Sequence, residues 1–208
     1  AGKSALVNLV PRFYDVTEGR ITIDGHDVRD IPQDQLREIV GIALQEALLF
    51  QGDVRFNLKF GAQGVEDKQM FDAAKAADAH GFVTGLPETW GAPVARRGYN
   101  FSGGQRQRLS IARTLTAAPK VLILDDSTSA LDVATESRVQ AAIPKLYEGI
   151  TTIYIAQRIS AVIDLDRIVL IENGEITAIG NHEELLESSP LYQEIYESQL
   201  GGVGEEKA

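Results

Sequence analysis

Residues 121–132 read VLILDDSTSALD, and this stretch decides the fold. Val121 to Leu124 form a short apolar run, which indicates a strand buried on both faces of a sheet. The run ends in two carboxylates, Asp125 and Asp126, and the carboxyl edge of a strand is where α/β domains bind ligands. Asp125 is therefore a candidate ligand of Mg²⁺, and Asp126 is a candidate neighbour of an attacking water. Taken alone, the pair fits the capping of a turn equally well.

The sequence around this run alternates between strand and helix patterns, which is typical of an α/β sheet. Four further apolar runs rich in β-branched residues predict strands: Gly19 to Ile23, Ile39 to Leu44, Thr151 to Ala156 and Arg167 to Glu172. Asn173 and Gly174 predict a hairpin turn that leads into Ile176 to Ile179.

Helical periodicity replaces the strand signal between residues 50 and 118. Val65 to Ala79 and Gln105 to Ala117 carry apolar residues at helical spacing, and glycine- and proline-containing turns lie between them. This predicts a helical subdomain inserted in the sheet domain, approximately residues 50–118. Residues 201–208 read GGVGEEKA and have too few apolar side chains to pack, so we expect a flexible tail on a single domain spanning residues 1–208.

Composition excludes several classes of function. The 208 residues are 44% hydrophobic and 24% charged, as expected for one globular domain. The formal net charge of -10 disfavours nucleic acid as a partner. With no cysteine there is no disulfide, no thiolate metal site and no cysteine nucleophile, which suits a reducing compartment. No apolar run approaches the roughly 18 to 20 residues that span a bilayer.

Gly2, Lys3 and Ser4 run directly into an apolar helical pattern, as the last part of a GxxxxGK[ST] phosphate-binding loop does. The N–H groups and dipole at such a helix start favour an anion. Lys3 is then placed to reach the β- and γ-phosphates of a nucleotide, and the Ser4 hydroxyl to ligate Mg²⁺. Because a three-residue match often arises by chance, a plain helix start is the alternative.

A sharper signal is the sequence FSGGQRQR at residues 101–108. Average composition yields the tetrapeptide Ser102, Gly103, Gly104, Gln105 about once in 10⁵ positions, so a chance match is improbable. Paired glycines let a backbone approach an anion closely, and the helical pattern after Gln105 predicts a second helix N-terminus facing a phosphate. A flexible glycine loop would explain the glycines but not the whole tetrapeptide.

These features occur in one order: GKS, Gln45 after a strand, SGGQ, the strand ending at Asp125, and SALD at Ser129 to Asp132. Together they resemble the ATP-binding-cassette (ABC) family over nearly the whole chain. RFYD at 12–15, ITIDG at 21–25, LLFQGDVRFNL at 48–58 and NHEELL at 181–186 are most similar to nucleotide-binding domains of its exporter branch. The resemblance implies a P-loop NTPase core sheet with an inserted helical subdomain. It also implies that the phosphate loop's earlier glycines, the adenine-stacking residue and the first strands precede Ala1.

The resemblance further implies ATP and Mg²⁺ as ligands and assigns site residues. ATP-binding residues are Gly2, Lys3, Ser4 and Ala5; metal-binding residues are Ser4, Gln45 and Asp125; catalytic residues are Asp126, Gln157 and Gln45. Ser102, Gly103, Gly104 and Gln105 face the ATP of a second nucleotide-binding domain in a head-to-tail dimer, with Ser129 and Asp132 in the loop between the two domains. The segment Phe50 to Phe60 receives a helix from the transmembrane domain of the same transporter.

Departures from the family pattern concern hydrolysis. Asp126 stands where hydrolytic members of the family carry glutamate, and Gln157 stands where they carry histidine. Ala5 lacks the hydroxyl that family members often carry after the Mg²⁺-binding serine or threonine. Arg96 stands where they commonly carry an acidic residue. A misplacement of about 1 Å costs roughly 10²-fold in rate, and glutamine lacks the charge that histidine can carry. We therefore expect binding to persist and cleavage to be slow. Neutral drift with hydrolysis retained is the alternative.

The sequence thus predicts the degenerate-site half of a heterodimeric, bacterial multidrug-type exporter at the cytoplasmic face of the cell membrane. A fully active homodimeric exporter ATPase is the first alternative. A soluble ABC ATPase that works on ribosomes or DNA is the second, and the lack of basic arms or coiled-coil insertions between Gln45 and Ser102 disfavours it.

Overall fold

A computed structural model of the chain describes residues 2–62 and 64–200. This part of the chain divides into a large compact unit, residues 7–155, and a small one made of residues 2–6 and 156–200. The predicted flexible tail, 201–208, lies outside the described residues.

The large unit is built on a three-stranded parallel sheet. Its strands are β3 (Val40–Ala43), β6 (Val121–Asp125) and β7 (Thr151–Ile155), with β6 in the middle. Val40 pairs with Val121, and Asp125 pairs with Ile155. Every residue of β6 is buried, which confirms the strand predicted from its unbroken apolar run.

Side chains of β6 alternate between two apolar cores because successive residues of a strand point to opposite faces. Leu122 and Leu124 lie in the core on the helical side. Val121 and Ile123 lie in the other core, together with Leu36. The sheet is therefore covered on both faces, as a central parallel strand requires.

The helices that share the core of Leu122 and Leu124 come from both sides of β6 in the sequence: α3 (Val54–Lys59), α4 (Asp67–Ala76), α5 (His80–Thr84), α6 (Gly103–Thr116) and α7 (Val133–Leu146). The opposite core includes α2 (Gln33–Ile39). Two short antiparallel pairs complete the large unit: β1 (Thr22–Ile23) with β2 (His26–Asp27), and β4 (Gly52–Asp53) with β5 (Pro93–Val94).

Several predicted boundaries were too wide. The strand predicted from Gly19 begins only at Thr22, because Gly19 adopts φ +76° and leaves the extended region. The helix predicted over Val65 to Ala79 shortens to α4, which ends before Asp78 turns left-handed at φ +54°. The helices between residues 54 and 116 lie within the stretch that was predicted to be helical, approximately residues 50–118. That these helices form a separate subdomain stays a prediction.

The small unit contains the predicted hairpin. β8 (Ile168–Glu172) and β9 (Glu175–Gly180) pair antiparallel around Asn173 and Gly174, which both have positive φ, as a two-residue type I′ turn requires. α8 (His182–Ser188) and α9 (Pro190–Leu200) follow. Ile159, Ile168, Leu185 and Tyr192 form the core of this unit.

The chain's first helix, α1, spans Lys3–Val7. No helix within residues 2–62 and 64–200 is both long and apolar enough to cross a bilayer.

Candidate functional site

Gln45 and Asp126 meet at the carboxyl edge of the parallel sheet. Gln45 lies two residues beyond β3, and Asp126 directly follows β6. Because β3 and β6 are adjacent and parallel, these two segments leave the sheet side by side. The Gln45 Nε2 donates a 2.9 Å hydrogen bond to Asp126 Oδ2. Two residues predicted for the same site, 81 positions apart, are thus in direct contact.

The backbone fixes both carboxylates at the end of β6. Asp125 and Asp126 are each only 7% exposed. The Asp126 N–H donates to the Ile155 carbonyl at 2.9 Å, and Asp126 itself turns left-handed at φ +48°. This bond belongs to the last pair of the ladder, Asp125 with Ile155, and the chain turns directly after it. The two neighbouring carboxylates are held at the edge where the sequence predicted a ligand.

The donor chemistry at this edge fits Mg²⁺. Carboxylate and amide oxygens are the hard ligands that Mg²⁺ prefers, and it usually takes one or two carboxylates with phosphate and water completing the octahedron. Across residues 2–62 and 64–200, no three histidine, aspartate or glutamate side chains cluster as a metal cage. Asp125 and Gln45 offer oxygen atoms of the kind that Mg²⁺ prefers.

The SGGQ sequence opens α6 through a capping box. The Gln105 N–H donates to Ser102 Oγ at 3.2 Å, and the Ser102 N–H donates to Gln105 Oε1 at 2.9 Å. Helix α6 therefore begins at Gly103, and the start predicted after Gln105 was two residues late. The reciprocal side-chain bonds explain this shift, because they satisfy the N–H groups that the first turn leaves unpaired.

The first turn of α6 sits on the SALD loop, Ser129 to Asp132. A Cβ added at Gly104 would lie 3.2 Å from the Ala130 carbonyl oxygen, which is tighter than most real contacts. At Gly103 it would meet only the Ala130 Cβ, at an ordinary 3.8 Å. Steric fit therefore favours glycine at 104, whereas position 103 has room for a Cβ.

Asp132 ends the SALD loop and caps α7. Its carboxylate accepts the Thr135 N–H at 2.9 Å and the Thr135 hydroxyl at 2.7 Å. The hydroxyl hydrogen bond is the main reason that the pKa of Asp132 lies below its ordinary value. At the other end of the loop, the Ser129 N–H donates to the Asp126 carbonyl at 3.3 Å. The loop is thus tied to Asp126 and to the start of α7.

Lys3 and the segment of Gln157 are brought together in the small unit. The Lys3 ammonium donates to the Ala156 carbonyl at 3.1 Å. Gln199 of α9 donates to the Gln157 carbonyl at 3.0 Å and accepts the Ile159 N–H at 2.7 Å. Gly2 has φ +101°, and its carbonyl accepts the Leu6 N–H at 3.0 Å, which begins the helix that contains Ser4 and Ala5.

Sequence reasoning missed Gln107. This side chain is 5% exposed on the buried face of α6, yet it hydrogen bonds both to the Gln45 segment and to the SALD loop. A signal was present, since Gln107 lies four residues before buried Ile111 and occupies an apolar position of the helix.

Asp78 is a second residue that the sequence did not single out. It accepts Arg108 of α6 at 3.2 Å and Arg138 of α7 at 3.1 Å, so it links the two helices that carry SGGQ and follow SALD. The Arg108 guanidinium also lies 4.7 Å from the Phe82 ring centroid. The backbone of Asp78 is left-handed, and the sequence signals this only through the tolerance of aspartate for that conformation.

An aromatic cluster made of Phe50, Phe56 and Phe60 remains on the surface. The Phe50 and Phe60 ring centroids are 4.2 Å apart, those of Phe56 and Phe60 are 5.7 Å apart, and each residue is more than 40% exposed. The Arg113 guanidinium lies 5.4 Å from the Phe50 ring and donates to the Leu48 carbonyl at 3.0 Å. Burial lowers the pKa of Arg113.

A parallel sheet with acids at its edge, covered by helices 54–116 on one face, has the architecture of the ABC ATPases. The fold matches the solved structure of a bacterial Atm1-family ABC exporter with ATP bound, with a TM-score of 0.91 and 38% identity, over 96% of this chain and 35% of that one. The ABC transporter family pattern matches residues 1–129.

The chain belongs to the ABC transporter family. It is 46% identical over 207 residues to an ATP-dependent lipid A-core flippase of Syntrophus aciditrophicus (strain SB). That alignment covers 99% of this chain and 34% of the flippase, so the chain spans about a third of the length of this relative.

Proposed function

We propose that this chain is the ATP-binding motor domain of a membrane ABC exporter, with an ATPase site of its own that works slowly. ATP binds through Gly2, Lys3, Ser4 and Ala5. Mg²⁺ is held by Ser4, Gln45 and Asp125, and when bound it neutralises charge on the phosphates. Membership of the ABC family and the likeness to an ATP-bound exporter support the class of function.

The observation that carries the proposal is the contact between Gln45 and Asp126. Gln45 is proposed to sense the metal and the γ-phosphate, and Asp126 to orient the attacking water. A 2.9 Å hydrogen bond between them couples the sensing group to the water-positioning group. Catalysis of phosphoryl transfer depends mainly on such positioning and on electrostatics.

Slow cleavage follows from the two substitutions in the catalytic set. The Asp126 carboxylate is one methylene shorter than glutamate, is nearly buried, and is held by Gln45. Gln157 can donate a hydrogen bond but cannot supply the positive charge of a histidine. Ground-state binding by Lys3 and Asp125 does not depend on either group, so the site retains nucleotide while cleaving it slowly.

The proposed assembly is a head-to-tail pair with a second, different nucleotide-binding domain. Ser102 to Gln105 face the partner's ATP, and Ser129 and Asp132 lie in the loop between the two domains. The first turn of α6 packs closely against Ala130, so the two segments proposed to face the partner are in contact, which supports a shared role. An exporter in which two copies of this chain pair and both sites are active is the rival arrangement.

The proposed contact with the membrane domain is the aromatic cluster Phe50, Phe56 and Phe60. Three exposed rings beside the partly buried Arg113 form an apolar surface that an amphipathic helix of the transporter can cover. The proposed location is the cytoplasmic face of the membrane. Nucleic acid is not a proposed partner, because the net charge is -10.

The test is ATP binding and turnover by the full-length transporter that contains this chain, purified in lipid. We expect Lys3→Met and Asp125→Asn each to weaken labelling of this chain by a photoreactive ATP analogue at least tenfold. Lys120→Met, which changes a lysine that follows Pro119 at the start of β6, is the matched control and should label normally. Equal labelling of all forms would reject the proposed ATP site.

A further inference from the structure

Gln107 connects three segments of the proposed site through one buried side chain. Its Oε1 accepts the Ala130 N–H at 2.9 Å, and its Nε2 donates to the Gln45 carbonyl at 3.4 Å. The residue belongs to α6 and is 5% exposed. The Gln45 segment, α6 and the SALD loop are therefore held to each other by a single amide.

The chemistry requires an amide at this position. A donor and an acceptor are needed at the two ends of one short group, and a primary amide supplies both without charge. Because Gln107 is buried, losing either bond leaves an unpaired polar atom away from water, which is costly.

These bonds close a ring with Asp126. Gln107 holds the Gln45 backbone, the Gln45 side chain holds the Asp126 carboxylate, and the Asp126 carbonyl accepts the Ser129 N–H next to Ala130. A displacement of α6 is therefore expected to shift the Gln45 contact with Asp126, because the ring consists only of hydrogen bonds and of covalent links within Gln45 and between Ser129 and Ala130.

We infer that Gln107 is a positioning residue that couples α6 to the catalytic contact between Gln45 and Asp126. Both ends of its amide bond protein groups, and it acts by setting where the Gln45 side chain and the SALD loop lie. This inference rests on the proposed ATPase function. It adds that a movement of α6, the helix proposed to face the partner's ATP, would change the geometry of this chain's own ATP site.

The test uses the full-length transporter with three variants of this chain. Gln107→Met keeps the length and burial of the side chain and removes both hydrogen bonds. Gln107→Glu keeps the acceptor for Ala130 and removes the donor to Gln45. Gln69→Met is the matched control, because Gln69 is a partly buried glutamine whose amide bonds to the far end of α6, at the Thr116 carbonyl.

The first readout is amide hydrogen exchange at Ala130, which needs no ATP turnover. We expect exchange at Ala130 to rise at least fivefold in Gln107→Met and to stay unchanged in Gln107→Glu and Gln69→Met. Unchanged exchange in Gln107→Met would overturn the inference whether or not the transporter hydrolyses ATP.

The second readout is single-turnover ATP cleavage at this chain's site, with the partner's catalytic glutamate disabled. Because a misplacement of about 1 Å costs up to about 10²-fold, we expect Gln107→Met and Gln107→Glu each to slow cleavage about tenfold, with ATP affinity changed less than about twofold. Gln69→Met should cleave at the unmodified rate.

A double-mutant cycle with Gln45→Ala separates positioning from general destabilisation. Gln45→Ala removes the side chain that is positioned but keeps the carbonyl that Gln107 contacts. We expect Gln107→Met to slow cleavage less than about twofold in that background, while its effect on the Tm stays the same. A tenfold loss in both backgrounds would overturn the inference. If the unmodified transporter shows no ATP binding, the proposed function fails, and the exchange result alone decides whether Gln107 holds the SALD loop.

Discussion

The side-chain nitrogen of Gln45 lies 2.9 Å from the carboxylate of Asp126, so two loops that leave neighbouring parallel strands are joined by one hydrogen bond. Asp126 also stands where the resemblance to hydrolytic ABC domains predicts a glutamate. The shorter side chain therefore has a defined partner and a defined location. The effect of aspartate at position 126 on ATP cleavage can therefore be measured directly.

Restoring both departing residues should raise cleavage without tightening binding. We expect Asp126→Glu combined with Gln157→His to increase single-turnover ATP cleavage at this site by at least about tenfold, because glutamate reaches one methylene further and histidine can carry charge. The ATP dissociation constant should change by less than about threefold. Each single change should do much less, since groups that act as a unit are not additive.

This measurement requires that the partner's catalytic glutamate be disabled. The ATP cleavage that is then measured comes only from the site that contains Lys3. Unchanged cleavage in the double variant would show that another group limits the site. Rapid cleavage with the native Asp126 and Gln157 would favour the homodimeric arrangement instead.

A charge at Gly103 should stop turnover at the partner's site without disturbing the fold. A Cβ at Gly103 meets only the Ala130 Cβ at 3.8 Å, so Gly103→Ala is tolerated. Gly103→Asp adds a negative charge where the partner's γ-phosphate is proposed to bind, and we expect ATP turnover of the assembled transporter to fall at least about 10²-fold. Near-normal turnover with Gly103→Asp, together with an unchanged Tm, would refute the cross-dimer role of SGGQ.

Asp78 should stabilise the large unit more by tolerating a left-handed backbone than by its ion pairs with Arg108 and Arg138. Asp78→Asn keeps the tolerance for φ +54° and loses only the charge, so we expect a small loss of unfolding free energy because partly exposed ion pairs contribute little. Asp78→Ala removes the side-chain acceptor and places alanine in a left-handed conformation, which costs about 1 to 2 kcal/mol more. Urea denaturation of the two variants measures the difference, and equal losses would contradict the backbone account.

Tyr147 should make the fold sensitive to alkaline pH. Its hydroxyl donates to the Leu115 carbonyl, and burial raises its pKa to about 12. An unfolded tyrosine titrates near about 10, so between these values the folded state keeps a proton that the unfolded state has lost. The stability from this group is complete below about pH 10 and is lost as the pH rises through the folded value.

Tyr147→Phe removes this titration and also the hydrogen bond. We expect the variant to be less stable than the unmodified chain at pH 8 and the difference to shrink as the pH rises from 10 to 11.5. Urea titrations across this range provide the measurement. A difference that stays constant with pH would mean that Tyr147 ionises equally in both states.

Contiguous sequence signals predicted the elements that local chemistry determines. The apolar run Val121 to Leu124 became a fully buried strand, and Asn173 with Gly174 formed the hairpin turn. The start of α6 was missed because Gly103 and Gly104 have low helix propensity, whereas a capping box between Ser102 and Gln105 stabilises the first turn and extends the helix by two residues.

Contacts distant in sequence escaped prediction for a physical reason. Gln107 meets Gln45 across 62 positions and Ala130 across 23, and nothing in a helical period states which loop a buried polar group will face. The contact between Gln45 and Asp126 was expected only as a shared role, and its hydrogen bond depends on the register of β3 against β6.

The core around Leu122 and Leu124 also contains Met70 of α4, Leu109 of α6 and Ile143 of α7, all with almost no exposed surface. Helices 54–116 and this face of the sheet therefore share their apolar contacts, and we expect them to unfold as one cooperative unit. In native-state exchange, the amides of Leu109 and Leu122 should open together at the same free energy. A core substitution such as Met70→Ala should consequently lower the melting temperature of β6 as much as that of α4, even though the two elements lie some fifty residues apart in the chain.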